Sequence, residues 1–97
     1  MAVDEQLLQR ARTNPAGLRF EEALSLAKQL GWFEKKGHGT GSHIHIFHHN
    51  LAPKIKNQFP RPLNLQNEKG MAKAYQVRQM IAMARAMGII GAEEKQE

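Results

Sequence analysis

Histidine is the residue type in this chain best suited to chemistry, and all five copies lie in the stretch GHGTGSHIHIFHH at residues 37–49. An imidazole has an unperturbed pKa of about 6.5, so it can accept or donate a proton near neutral pH, and it also binds metals. The chain has no cysteine, which excludes a disulfide framework and any zinc site built on thiolates.

The second half of this stretch alternates with a period of two, which is typical of a β-strand. Side chains that alternate along a strand point to opposite faces of the sheet. We expect Ile44 and Ile46 to face the helices, and His43, His45 and Phe47 to share the other face. His43 and His45 would then be neighbours on a face that need not belong to the core.

The residues leave three interpretations of the histidines open. A metal site is one, but His43 and His45 form only a partial ligand set without a third ligand at a firm spacing, so we expect no metal. General acid–base catalysis is the second, because the 2′-hydroxyl of RNA can attack its own phosphate if a base, an acid and cations are supplied. Ordinary solvent-facing strand histidines are the third, and taken one at a time His45, His48 and His49 fit it.

The charge distribution favours a polyanionic partner. The formal net charge is +5, and between Glu34 and Ala86 nine basic residues face only two acidic ones. A basic central region of this kind suits RNA. A basic surface that serves only solubility is the alternative.

The elements that must position the histidines can be read from apolar periodicity and from capping residues. Three helices are predicted, with a strand at the histidine stretch, an extended segment before it and a short strand after it. The helices span about Asp4–Arg12, Phe20–Leu30 and Ala72–Met87; the extended segment begins at Trp32, and the later strand is LNLQ at residues 63–66. Gly31 and Gly88 end helices, and NEKG at residues 67–70 is a turn.

The last helix has a predicted buried stripe and a predicted polar side. We place four residues largely off the stripe: Lys73, Gln76, Arg78 and Arg85. The stripe itself consists of apolar residues at helical spacing, namely Val77, Met80, Ile81, Ala84 and Met87.

The order of elements predicts an α+β fold in which two helices cover one face of a small antiparallel sheet, preceded by a short extra N-terminal helix. We divide the chain into an N-terminal extension (1–17), one folded domain (18–88) and a flexible tail (89–97). No apolar run approaches the ~18 residues of a membrane span, and the first ten residues lack a secretion-signal pattern. We therefore expect a cytoplasmic protein that does not bind membranes.

A family resemblance adds to this reading. GSH at residues 41–43 opens the strand after a helix and a GW pair, and GMAKAYQVRQMI follows at residues 70–81. Together with NPAGLRFEEALSLAKQLGW at residues 14–32 and LNLQ, these segments resemble the HicA family of toxin–antitoxin ribonucleases. The resemblance extends over this chain from about Asn14 to Met87.

The resemblance implies a double-stranded-RNA-binding-like fold, helix–three strands–helix. It also implies cleavage of mRNA, and inhibition by a HicB-like antitoxin that covers the active site. We expect no cofactor, because attack by the 2′-hydroxyl needs none. The family's catalytic histidine matches His43, and His45 is a candidate assistant on the same strand face. We expect the remaining site residues to bind RNA: Lys35, Lys36, Gly41, Ser42, Lys69, Lys73 and Arg78. A non-catalytic module that binds RNA or an antitoxin on the same fold is the alternative function.

Overall fold

The computed structural model of the protein describes residues 3–34 and 44–91. Within these ranges it contains three α-helices and a four-stranded antiparallel sheet, which confirms the α+β class. Pro15–Gly17 and Ala52–Ile55 form short 3-10 helices. The helices are α1 (Glu5–Thr13), α2 (Phe20–Gln29) and α3 (Ala74–Ala86), and the strands are β1 (Phe33–Glu34), β2 (Ile44–His48), β3 (Leu63–Glu68) and β4 (Met71–Ala72).

The sheet has the strand order β1-β2-β3-β4, so each strand neighbours the next along the chain. Ile44, the first described residue of β2, pairs with Gln66, and β3 continues beyond it to Glu68. The turn from β3 to β4 therefore lies at the end of the sheet where β2 begins. The two-residue strand β4 was not predicted; the turn that precedes it is formed by Lys69 and Gly70, both at positive φ.

The helices contribute to a single core with the sheet. Leu7, Leu8 and Ala11 of α1 belong to the same buried cluster as the residues of α2, α3 and the strands. The largest side chains that are fully shielded from solvent are Phe47, Leu18, Leu26, Leu63, Leu65, Met80, Met83 and Val77. Burial of apolar area at about 25 cal/mol per Å² is the main stabilising contribution in such a core.

The predicted orientation of β2 is wrong. Phe47 is completely buried, whereas Ile44 is 42% exposed and Ile46 is only partly buried. Because side chains alternate along the strand, His45 lies on the same face as Phe47, the face that packs against the helices. His45 is thus at the margin of the core and not on the outer face of the sheet.

Gln76 also departs from its predicted position on the polar side of α3. It is 6% exposed, and its Oε1 accepts a hydrogen bond of 2.7 Å from the backbone N–H of Gln66. The side chain therefore joins α3 to β3. The apolar stripe of α3 is confirmed, since all five of its predicted members are buried.

Two charged side chains join α1 to α2. Arg10 donates hydrogen bonds of 2.8 and 3.0 Å to the two carboxylate oxygens of Glu22, and the backbone N–H of Arg19 donates a third. The hydrogen bonds from Arg10, followed by the one from Arg19, lower the pKa of Glu22 from 4.5 to about 2. Asp4 caps α1 by accepting a hydrogen bond from the N–H of Leu7, as its position in the sequence predicts.

The chain leaves α3 through Gly88, which has a φ of +81°. Ile89 and Ile90 then pack against the core as partly buried side chains. Residues 92–97 of the predicted tail lie outside the described residues. Among the described helices, none is long and apolar enough to cross a membrane.

Candidate active site

The candidate site is built where β2 meets the edge strand β1. In the antiparallel register Glu34 lies opposite Phe47, so Glu34 and His45 occupy diagonal positions on one face of the sheet. The Nδ1 atom of His45 lies 2.7 Å from Oε2 of Glu34. Both side chains remain accessible, with exposed fractions of 34% for His45 and 42% for Glu34.

This contact determines which ring nitrogen of His45 can react. An ionised carboxylate only accepts hydrogen bonds, so Nδ1 of His45 must carry a proton when it contacts Glu34. The opposite nitrogen, Nε2, is then the atom that can accept a proton, or donate one when the ring is charged. A carboxylate that holds one nitrogen of a histidine also fixes the orientation of the ring.

An aromatic ring supports the imidazole from the side of the helices. The ring centroids of Phe20 and His45 are 5.1 Å apart, and the planes are tilted by 54°. Phe20 is itself buried as the first residue of α2. Glu34 and Phe20 together restrict the ring to one orientation.

His49 has a different role. Its Nδ1 accepts a hydrogen bond from the N–H of Leu51, and its Nε2 lies 2.9 Å from the carbonyl oxygen of Leu30, to which it donates. Both ring nitrogens are therefore used, and the ring also packs edge-on against Trp32 at 5.1 Å. His49 is a structural residue that joins the end of α2 to the loop after β2.

The basic residues predicted to bind RNA divide into two places. Lys69 lies in the turn between β3 and β4, and Lys73 is the residue immediately before α3, with its Nζ 4.0 Å from a carboxylate oxygen of Glu68. Both are at the end of the sheet where β2 begins. Arg78 instead points to a cavity between α1 and α3, which it lines together with Arg12.

The first turn of α3 also carries an exposed aromatic side chain. Tyr75 is 61% exposed, so packing against the sheet does not account for it. The next residue, Gln76, is hydrogen-bonded to Gln66, which pairs with Ile44. Tyr75 therefore lies at the same end of the sheet as Lys73, where a planar base could stack on it.

The histidine singled out by the motif is not among the described residues. Lys35, Lys36, Gly41, Ser42 and His43 all lie in the range 35–43, outside the part of the chain that the structure describes. Their predicted roles in catalysis and RNA binding stay predictions. In the sequence His43 comes directly before Ile44, two residues from His45.

Glu34 is the site residue that sequence reasoning missed. In the sequence it is one of two acids in the basic region, and nothing in its spacing to the histidines indicates a contact across eleven residues. The available signal was its position directly after Phe33, at the end of an apolar segment that pairs with the histidine strand. Among the described residues, no three side chains of the types that bind metals come together.

Comparisons with protein-family models, with curated proteins and with solved structures found no match to this chain.

Proposed function

We propose that this protein is an endoribonuclease that cleaves mRNA, the toxin of a HicA-like toxin–antitoxin pair on a double-stranded-RNA-binding-like fold. The observation that carries the proposal is the contact between Glu34 and His45. His45 lies near the start of β2, and the GSH motif comes directly before that strand in the sequence. The resemblance to HicA supplies the cognate partner, an antitoxin that covers the site. The basic and aromatic residues at the same end of the sheet support RNA as the substrate.

The proposed reaction is an internal transfer at one phosphodiester. His43 accepts the proton of the 2′-hydroxyl, and the 2′-oxygen forms a bond to the adjacent phosphorus. The bond from phosphorus to the 5′-oxygen breaks, and this oxygen takes a proton from Nε2 of the His45 imidazolium. The products are a 2′,3′-cyclic phosphate and a free 5′-hydroxyl, so no water or cofactor enters this step.

Glu34 acts as a positioning residue in this scheme. Its carboxylate holds Nδ1 of His45, which points Nε2 away from β1 and keeps the ring in the orientation needed to donate the proton. Lys69 and Lys73 would bind flanking phosphates, which fixes the register of the strand without reading its sequence. Tyr75 would stack on a base next to the cleaved bond.

The test is RNA cleavage by the purified protein in the presence of a chelator. We expect His45→Gln, which can still contact Glu34 but cannot transfer a proton, to reduce cleavage by about 10²–10⁴-fold. Glu34→Gln should lower kcat and leave KM nearly unchanged, because the carboxylate acts on the histidine and not on the substrate. His48→Gln, on the same strand but the opposite face, and Glu5→Gln, exposed on α1, are the matched controls and should cleave normally.

The alternative, a non-catalytic module that binds RNA or an antitoxin, predicts a different set of results. Such a protein would bind RNA with a strong dependence on salt but leave it intact. Expression without a partner would then not arrest growth, and neither His43→Ala nor His45→Gln would change that outcome. Intact RNA after incubation with the folded, unmodified protein would refute the proposed function.

A further inference from the structure

The connection between β2 and β3 lines a cavity of about 290 Å³ at one end of the sheet. The cavity lies where Phe47 pairs with Leu63, at the opposite end of the sheet from the turn between β3 and β4. Met83 of α3 also lines it. The volume is close to the lower limit of the ~300–1,000 Å³ that ligand pockets occupy, so the cavity fits one large side chain or ring.

The connection that lines this cavity is fixed to the rest of the fold at two points. Ile55 is buried in the core, and its carbonyl oxygen accepts a hydrogen bond of 2.7 Å from the N–H of Phe59. His49 is hydrogen-bonded both to Leu30 and to Leu51. The cavity is therefore formed before a ligand binds, and a preformed site reduces the entropy that binding costs.

The lining favours an apolar group over a group that must form hydrogen bonds. Three of its residues, Pro53, Pro60 and Pro62, have no backbone N–H to donate. His49 also lines the cavity, but it uses both ring nitrogens within the fold. A nucleobase has donors and acceptors on its edges that would find few partners here, and burial of such groups without partners is costly. A large aliphatic or aromatic side chain has no such groups to satisfy.

The charged residues of the lining are basic. Lys56 and Arg61 both line the cavity and are exposed, and no acidic residue belongs to its described lining. Neither side chain forms an ion pair with a carboxylate of the described residues. The sequence contains no Asp or Glu between Glu34 and Glu68. A ligand that complements this surface carries negative charge beside its apolar group.

We propose that this cavity is the docking site for an acidic segment of a partner protein. One large apolar side chain of the segment enters the cavity, and carboxylates on either side of it pair with Lys56 and Arg61. Phe33 extends the apolar surface beyond the cavity, because it is 41% exposed and lies opposite His48, which lines the cavity. The apolar anchor supplies most of the affinity, since exposed charge pairs contribute little individually. The proposal does not depend on RNA cleavage.

The test uses Trp32 as its reporter, because it is the only tryptophan of the chain and lines the cavity. Its fluorescence is followed while three peptides without tryptophan, blocked at both ends, are titrated into the full chain. Their sequences are Glu-Asp-Leu-Phe-Asp-Glu, Glu-Asp-Ala-Ala-Asp-Glu and Lys-Lys-Leu-Phe-Lys-Lys. We expect the first peptide to bind at least about tenfold more tightly than either of the others, because it alone combines the apolar anchor with negative charge.

Variants of the lining separate the contribution of charge from that of the cavity. The double variant Lys56→Glu/Arg61→Glu should reverse the preference between the acidic and the basic anchor peptides. Ala52→Leu narrows the cavity without a change of charge and should weaken binding of the first peptide at least about tenfold. Lys28→Ala, exposed on α2, is the control and should bind like the unmodified protein. Melting temperatures show which variants fold, and the double variant changes only exposed residues, so it keeps the test available if Ala52→Leu unfolds.

Three results would overturn the proposal. The first is equal affinity for the acidic and the basic anchor peptides, or an unchanged preference in the folded double variant. The second is the absence of any change in Trp32 fluorescence and in the amide chemical shifts of residues 52–63. The third is tighter binding of adenosine 5′-monophosphate than of the first peptide, which would assign the cavity to a nucleotide.

Discussion

Replacement of Gln76 by leucine tests whether one buried amide joins α3 to the sheet. Gln76 is almost fully buried, and its Oε1 accepts the Gln66 N–H at 2.7 Å. Leucine fills a similar volume but offers no acceptor, so the N–H of Gln66 loses its partner. Leaving a buried backbone donor unsatisfied costs about 1–3 kcal/mol.

The expected loss is large enough to measure by thermal unfolding. In a domain of this size, about 1 kcal/mol lowers the melting temperature by roughly 4–8 °C. Gln76→Leu should therefore melt at least about 4 °C lower, and the Gln66 amide should exchange its hydrogen faster. Gln79→Leu makes the same substitution at an exposed position of the same helix and should stay within about 0.5 kcal/mol of the unmodified protein. Equal stability of the two variants would refute the role assigned to Gln76.

Two further predictions concern stability. Glu22→Gln should lower the urea midpoint at pH 7. The folded-state pKa of Glu22 is lowered from 4.5 to about 2. The stability that the carboxylate contributes is therefore complete above pH 4.5 and is lost as the pH falls toward 2. The difference between the two proteins should shrink over that interval, and a constant difference would contradict the role of the Arg10 pair. Gly31→Ala should destabilise by more than the ~1–2 kcal/mol of a left-handed backbone, because Gly31 has a φ of +103° and a Cβ there would lie 2.7 Å from Nε2 of His49. Gly70→Ala is the control, because Gly70 has a φ of +88° and open space around it, so only the backbone conformation opposes the substitution. Equal losses of stability in both variants would show that the His49 side chain moves away from the new methyl group.

The helices could be predicted from sequence because local rules decide them. Asp4 is a capping residue at the start of an amphipathic segment, and Gly31 and Gly88 adopt the positive φ expected where helices end. The buried side of α3 followed from its spacing. Gln76 escaped prediction because a glutamine next to the stripe is ordinarily solvated, and only a specific partner on β3 makes its burial favourable.

The orientation of β2 could not be predicted from alternation alone. Both faces of the strand carry apolar residues, Ile44 and Ile46 on one and Phe47 on the other, so period two does not identify the core. Register decides the question, because Phe47 pairs with Leu63 and the two share a face. The same register places His45 opposite Leu65. Leu63 and Leu65 are both fully buried, so the face that carries the histidine is the inner one.

The candidate site was predictable only in part for the same reason. Alternation places His45 on the same face as His43 but assigns that face to the wrong side of the sheet, and its partner Glu34 depends on how a two-residue edge strand pairs with β2. The cavity that Arg12 and Arg78 line depends on how α1 packs on α3, which brings together residues that are far apart in the sequence. Contacts of this kind come from tertiary packing, which local spacing does not encode.

The hydrogen bonds of their rings give His45 and His49 different roles. His49 uses both nitrogens within the fold, so it has no free atom for a proton transfer unless the loop after β2 opens. His45 uses one nitrogen and stays one-third exposed. His49→Gln should therefore lower the melting temperature and reduce cleavage only as far as unfolding accounts for it. His45→Gln should leave the melting temperature nearly unchanged and reduce cleavage per folded molecule. A His45→Gln protein that melts early but cleaves normally per folded molecule would exclude His45 from catalysis.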